Sequence, residues 1–117
     1  MQKNTLSFSQ MFLESSNYNW EKIDENLDRA VVGFDASLML TIVRFKKGGI
    51  GYLHQHIHSQ VAYIASGSFE VQIEEEKRVL KTGDSFFIPT NLMHGVVCLE
   101  EGTLIESFSP MREDFIK

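Results

Sequence analysis

The sequence predicts an all-β fold, closed or nearly closed, and three observations carry that expectation. From Ala30 onward, short apolar or alternating runs recur every eight to twelve residues, the rhythm of a sandwich or barrel. Gly, Asn, Asp and Ser separate these runs. Helical periodicity is not sustained for ten residues anywhere after position 30, and so many short strands must manage their edges, which favours closure.

Residues 1–28 are polar, carry Asn17, Asn19 and Asn26, and show no sustained strand pattern. They read as an N-terminal extension packing on the barrel, with Trp20 as a hydrophobic plug and room between Ser15 and Leu27 for one short helical turn. The barrel then occupies 29–117 and ends in a C-terminal tail. Strands are expected at 30–34, 37–46, 51–56, 60–65, 68–75, 77–81, 85–88, 94–99 and 103–109. The turns between them fall at Gly48-Gly49, Ser66-Gly67, Thr82-Gly83-Asp84 and Glu101-Gly102. Alternation is clearest in Phe69-Glu70-Val71-Gln72-Ile73-Glu74, where apolar and polar residues swap strictly.

A chain of 117 residues suits a single domain, and 43% hydrophobic with 23% charged residues is the composition of a folded globular protein. The formal net charge of −5 and the lack of a Lys/Arg cluster argue against nucleic acid as a partner. No apolar run reaches the roughly 18 residues of a spanning helix. Met1 to Glu14 lacks the basic and apolar regions of a secretory signal. The single Cys98 excludes an intramolecular disulfide framework and fits a reducing compartment. A cytoplasmic protein without membrane attachment is the expectation.

The histidines carry the chemistry. His54, His56 and His58 crowd into five residues, with Gln60 just beyond. Side chains two apart on a strand share a face, so His54 and His56 should project together, as two ligands of one metal must. His94 follows the Gly83-Asp84 turn, an aromatic strand and Pro89, and would bring a third imidazole from a distant strand. Imidazole suits Zn, Cu, Fe and Ni alike, so the ligands alone do not name the ion. A lone strand histidine is more often a surface or satisfied core residue, so the frame around the cluster decides the matter.

That frame is Gly48, five residues, His54, one residue, His56, three residues, Gln60, six residues, Gly67; then, after 15 residues, Gly83, five residues, Pro89, four residues, His94. These stretches resemble the two consensus motifs of the cupin superfamily. The resemblance implies a jelly-roll barrel, or double-stranded β-helix, around one divalent transition metal ion such as Zn, Ni, Fe, Mn or Cu. Gln60 stands where the motif has Glu, Asn91 where it has a Gly after the Pro, and Cys98 where it has its final Asn. With an amide for a carboxylate the ion keeps its full charge, which favours an anionic ligand or strong polarisation of a carbonyl or hydroxyl. Cys98 shares parity with His94 and either faces the pocket or is a small buried apolar residue.

In Thr103 to Ser109 alternation puts Leu104, Glu106 and Phe108 on one face. If that face is the interior, Glu106 has a raised pKa and can serve as acid or base; otherwise it is exposed or paired, for instance with Arg44. Arg112 follows Pro110, where the chain can fold over the barrel mouth and offer a fork to a carboxylate, or it pairs with Glu113 or Asp114 at the surface.

Trp20-Glu21, Leu38-Met39-Leu40, the stretch from His54 to Gln60 and that from Phe108 to Phe115 are similar to the pectin-degradation cupins, which open 4,5-unsaturated monouronates to linear 5-keto-4-deoxyuronate. The resemblance implies a metal held by His54, His56, Gln60 and His94. It also implies a catalytic group of Phe108, Arg112 and, in place of the family's Asp, Glu106, whose extra methylene shifts the carboxylate by about 1 Å. His58 is a candidate for steadying a ligand from behind. A homodimer acting on a small anionic sugar or carboxylate follows from the same resemblance. Two rival readings are a metal-bound module that binds or senses such a ligand without turnover, and a cupin oxygenase or isomerase acting on another substrate.

Overall fold

The computed structural model describes residues 8–116. Among them are eight strands: β1 Trp20–Asp24, β2 Leu27–Asp35, β3 Leu38–Phe45, β4 Ile50–His54, β5 Ser59–Ile73, β6 Glu76–Lys81, β7 Ser85–Ile88 and β8 His94–Ser109. Two single 3-10 turns, Ser15–Asn17 and Glu113–Phe115, flank them, and the described residues hold no α-helix.

The long strands β5 and β8 organise everything else. They pair antiparallel from Ser59 opposite Ser109 to Ile73 opposite His94. The first half of β5 pairs with β7 and its second half with β6. The later half of β8 pairs with β3, and its first residues with β4. The result is two faces, β1-β2-β3-β8-β5-β7 and β4-β8-β5-β6, joined by two strands that belong to both. The alternation along β3, β5 and β8 sends Val43, Phe45, Ile64, Phe69, Cys98 and Leu104 into the space between the faces, where they form one buried cluster. Phe45 meets Phe69 edge to face there, with ring centroids 5.1 Å apart.

Each long strand crosses between faces at a bend. The ladder shifts register around Ser66 to Phe69 opposite Glu100 to Thr103. Gly67 adopts φ +89° there, and a Cβ on it would stand 2.6 Å from the carbonyl oxygens of Glu100 and Glu101. No residue but glycine fits that backbone contact.

The expected jelly roll is therefore present, with corrections to its parts. Ser66-Gly67 and Glu101-Gly102 are bends within continuing ladders rather than turns, so four expected strands fuse into β5 and β8. Strand structure begins at Trp20, inside the stretch read as strand-free, because β1 pairs with β2 and the start of β2 with β3, pairing that their polar sequences do not advertise. Residues 8–9 dock on the end of β2: Ser9 N–H donates to Phe34 O (2.8 Å) and Phe34 N–H to Ser9 Oγ (2.9 Å). The short turn at Ser15–Asn17 precedes Trp20 instead of surrounding it. Trp20 is not an interior plug: it lies half-buried on the outer wall, with the Arg44 guanidinium 3.6 Å above its ring. Arg44 points outward because its parity on β3 opposes that of the buried Val43 and Phe45. Among the described residues no helix is long and apolar enough to cross a membrane.

Candidate metal centre and active-site cavity

Three histidines converge although only two of them lie on strands. His54 ends β4, His94 begins β8 directly opposite it, and His56 sits in the loop before β5. The expectation that His54 and His56 share a strand fails because β8 supplies no partner beyond His94. The chain turns there instead, and Asn91 N–H caps the His56 carbonyl at 2.8 Å. Asn91 itself holds φ +64°, the conformation asked of the motif's glycine. The nitrogens of His54, His56 and His94 nonetheless lie within 4.8 Å of one another, the geometry of three ligands to one ion.

Hydrogen bonds behind the rings set their tautomers. Nδ1 of His54 contacts Tyr52 O at 2.8 Å, Nδ1 of His56 contacts His58 O at 3.0 Å, and Nδ1 of His94 contacts Leu92 O at 2.9 Å. A carbonyl can only accept, so each Nδ1 carries the proton and each Nε2 presents a bare lone pair. Nε2 of His94 is buried and has no hydrogen-bond partner. Nε2 of His56 lies 3.1 Å from Oε1 of Gln60, whose amide nitrogen donates to Glu106 Oε2 at 3.2 Å. Two acceptors thus face each other without a proton between them, an arrangement that a shared cation satisfies. Burial, reinforced by His54, His56 and Arg112, lowers the His94 pKa to about 4, and burial followed by Arg112 lowers that of His56. Neutral imidazoles with an orphaned buried lone pair fit a divalent transition metal.

A cavity of about 200 Å³ opens onto this cluster. His54, Gln60 and His94 line it together with Glu106, Phe108 and Arg112, so six of the seven candidate residues share one space. The interior face of β8 predicted from alternation is the cavity face. Glu106 is half-buried there, hydrogen-bonded by Gln60 and, at 3.3 Å, by the fully buried Thr41 hydroxyl. Burial raises its pKa, opposed by the Thr41 bond and the charges of Arg112 and Arg29. It makes no pair with Arg44.

Arg112 pairs with Asp114 and also lines the cavity. Its Nε and Nη2 donate to Asp114 at 3.0 and 2.8 Å, and its side chain is only 12% exposed, lining the cavity. His58 lies behind the cluster: its carbonyl holds His56, and its Nε2–H donates to Met111 O at 3.1 Å, tying the segment that carries Arg112 to the ligand loop. Cys98 does not reach the cavity. It is buried in the core with its thiol donating to Glu100 O at 3.0 Å, and burial raises its pKa.

Three residues of the site had no signal strong enough to single them out. Thr41 looks like an ordinary strand residue in an apolar run. Phe115 lies past Pro110 in a polar tail, yet packs edge to face against Phe108, 5.7 Å between centroids. Arg29 precedes the first expected strand, yet its guanidinium lies 3.6 Å from the centroid of the Phe115 ring and lines the cavity.

Comparison with known proteins agrees with this architecture. The cupin domain family matches residues 41–105. The pectin degradation protein KdgF of Dickeya dadantii is 52% identical over 99 residues, covering 83% of this chain and 90% of that protein. An RmlC-like cupin from Shewanella frigidimarina superposes with a TM-score of 0.92 at 42% identity, over 95% of this chain and 100% of the other. KdgF from Halomonas sp. superposes with a TM-score of 0.87 at 37% identity, over 92% and 100%. A jelly roll of shared strands, a histidine cluster at its open end and these matches have one reading: the chain belongs to the cupin family, among the relatives of the pectin degradation protein KdgF.

Proposed function

We propose that the protein is a metal-dependent enzyme that opens the ring of 4,5-unsaturated monouronates to linear 5-keto-4-deoxyuronate, a reading supported by its kinship with a protein named for pectin degradation. The observation that carries it is one chain of contacts beside one cavity: His56 Nε2 against Gln60 Oε1, the Gln60 amide donating to Glu106, and the Thr41 hydroxyl donating to Glu106. A metal-binding cluster is thereby tied to a carboxylate poised for proton transfer.

The net change in ring opening relocates one proton. The anomeric hydroxyl loses it as the C1 carbonyl forms, the bond from C1 to the ring oxygen breaks, and the released enol system takes a proton at C4 to leave a ketone at C5. Glu106 is the group placed to carry that proton. Its partly desolvated carboxyl is held at both oxygens, and burial raises its pKa above the usual carboxylate range, the direction that suits an acid–base group. Arg112 keeps N–H donors beyond those given to Asp114 and grips the uronate carboxylate. Phe108 walls the ring space. A metal held by Nε2 of His54, His56 and His94 with Oε1 of Gln60 supplies Lewis-acid polarisation of a substrate oxygen. A volume of about 200 Å³ admits a single sugar ring rather than an oligosaccharide, since pockets for drug-sized ligands start near ~300 Å³.

The test is the ultraviolet absorbance of the conjugated enol carboxylate in unsaturated galacturonate and glucuronate. Metal-loaded protein should abolish it and a chelator should stop the loss. Glu106→Ala should slow it by about 100-fold or more with metal content unchanged. If wild-type protein leaves both chromophores intact, the cavity binds small carboxylates without turnover.

The same reading places the protein in the cytoplasm as a homodimer. The free, buried Cys98 thiol suits a reducing compartment. An apolar row on the outer wall, Leu40, Val61 and Phe87 with Ser107 between the first two, offers a face for a second copy.

A further inference from the structure

Arg29 is a cation whose position needs an explanation. On β2 it shares parity with Leu27, and the two stand opposite Val43 and Phe45, whose side chains are buried in the interior. Its side chain is 17% exposed. It donates one 3.3 Å bond to Glu21 and lies 3.6 Å from the centroid of Phe115. The Arg112 guanidinium lies 4.3 Å from the same centroid. Two guanidiniums therefore border one aromatic ring at the wall of the cavity, and Glu106 is the carboxylate among the cavity's lining residues.

The two cations differ in what they have free. Arg112 gives a two-pronged pair of bonds to Asp114, which consumes one edge of its fork and much of its charge. Arg29 gives one longer bond, to the half-exposed Glu21 carboxylate, and its guanidinium carbon lies over the Phe115 ring. Stacking holds the plane while leaving N–H donors along the edge, a prearranged anion site.

We propose that Arg29 is a substrate-binding residue that recognises the carboxylate of the sugar acid and makes the cavity selective for uronates over neutral sugars. This deepens the function proposed above and rests on it for the identity of the ligand. A carboxylate entering between Arg29 and Arg112 exchanges water for charge-assisted hydrogen bonds in a half-enclosed site. Arg112 alone, already paired with Asp114, offers less.

The experiment compares galacturonate with its uncharged methyl ester by isothermal titration calorimetry on metal-loaded protein. Wild type should prefer the acid. Arg29→Gln should weaken galacturonate about 10-fold and leave the ester unchanged, collapsing the preference. Arg29→Lys, which keeps the charge without the fork, should fall between them and guards against a Gln variant that fails to fold. A residue that only braced Phe115 would lower both ligands equally. Equal loss for acid and ester, or no loss, overturns the assignment. Wild type that binds neither ligand overturns both this assignment and the functional reading. Wild type that prefers the acid but never opens unsaturated uronates overturns the enzyme alone, and the Arg29 comparison then still stands.

Discussion

Gln60 is one side chain with two duties. Its amide oxygen faces His56 and its amide nitrogen donates to Glu106, so the carboxylate fixes the orientation that would offer the amide oxygen to an ion in the proposed enzyme. Gln60→Glu separates the duties. A carboxylate remains an oxygen ligand for a divalent ion, but the donor to Glu106 is gone and two carboxylates face each other at about the present 3.2 Å. Metal content should persist while ring opening falls by about 100-fold. Wild-type turnover in that variant would show that the amide does not position Glu106. At this scale the residues that the structure gathers were legible where spacing constrained them: His54, His56, Gln60 and His94 through the motif frame, Glu106 and Phe108 through strict alternation. Arg29, Thr41 and Phe115 were not, because Arg29 and Phe115 join the cavity, and Thr41 reaches Glu106, through tertiary contacts that leave no local pattern. Cys98 shows the limit of parity: it shares a face and an unbroken ladder with His94, but four residues further along β8 that face points into the packed core rather than at the histidine cluster.

At the level of elements, a glycine signal says that the backbone needs freedom, not what it does with it. Gly48 and Gly67 both hold positive φ, +87° and +89°. Gly48 turns the chain between β3 and β4 with open space where a Cβ would be, whereas Gly67 is pressed against the backbone of β8. Gly48→Ala should therefore cost only the conformational penalty, about 1–2 kcal/mol. Gly67→Ala adds a clash that only backbone movement relieves and should cost roughly 3 kcal/mol or more. Urea unfolding of the two variants checks the ordering, and equal losses would mean that the bend is not a rigid contact. The same distinction explains the fused strands: Ser66-Gly67 and Glu101-Gly102 read as turns locally, but pairing continues on both sides of them. It explains β1 as well, since Trp20–Asp24 carries three charges in Glu21, Lys22 and Asp24 and gains strand structure only from its neighbour.

For the whole molecule, the two faces divide the labour. The interior between them is filled with aromatic and aliphatic side chains on one side of the site, while the histidines, Glu106 and the stacked arginines border the cavity. The outer wall remains, and its register is informative. Leu40, Ser107, Val61 and Phe87 lie in one row across β3, β8, β5 and β7. Val61 is 49% exposed and Phe87 56%, with Tyr63 and Leu38 nearby on the same strands and also exposed. An outward apolar row over four strands is the surface a second copy would cover. Light scattering should then give twice 13.4 kDa. Val61→Asp combined with Phe87→Asp should give the monomer mass, since each buried apolar side chain contributes about 1.5–3 kcal/mol and the new charges repel across a two-fold axis. Both positions already face outward in the single chain, so the variant should keep its fold and its metal. A wild-type mass of 13.4 kDa would remove the dimer, and with it any account of why this wall is apolar.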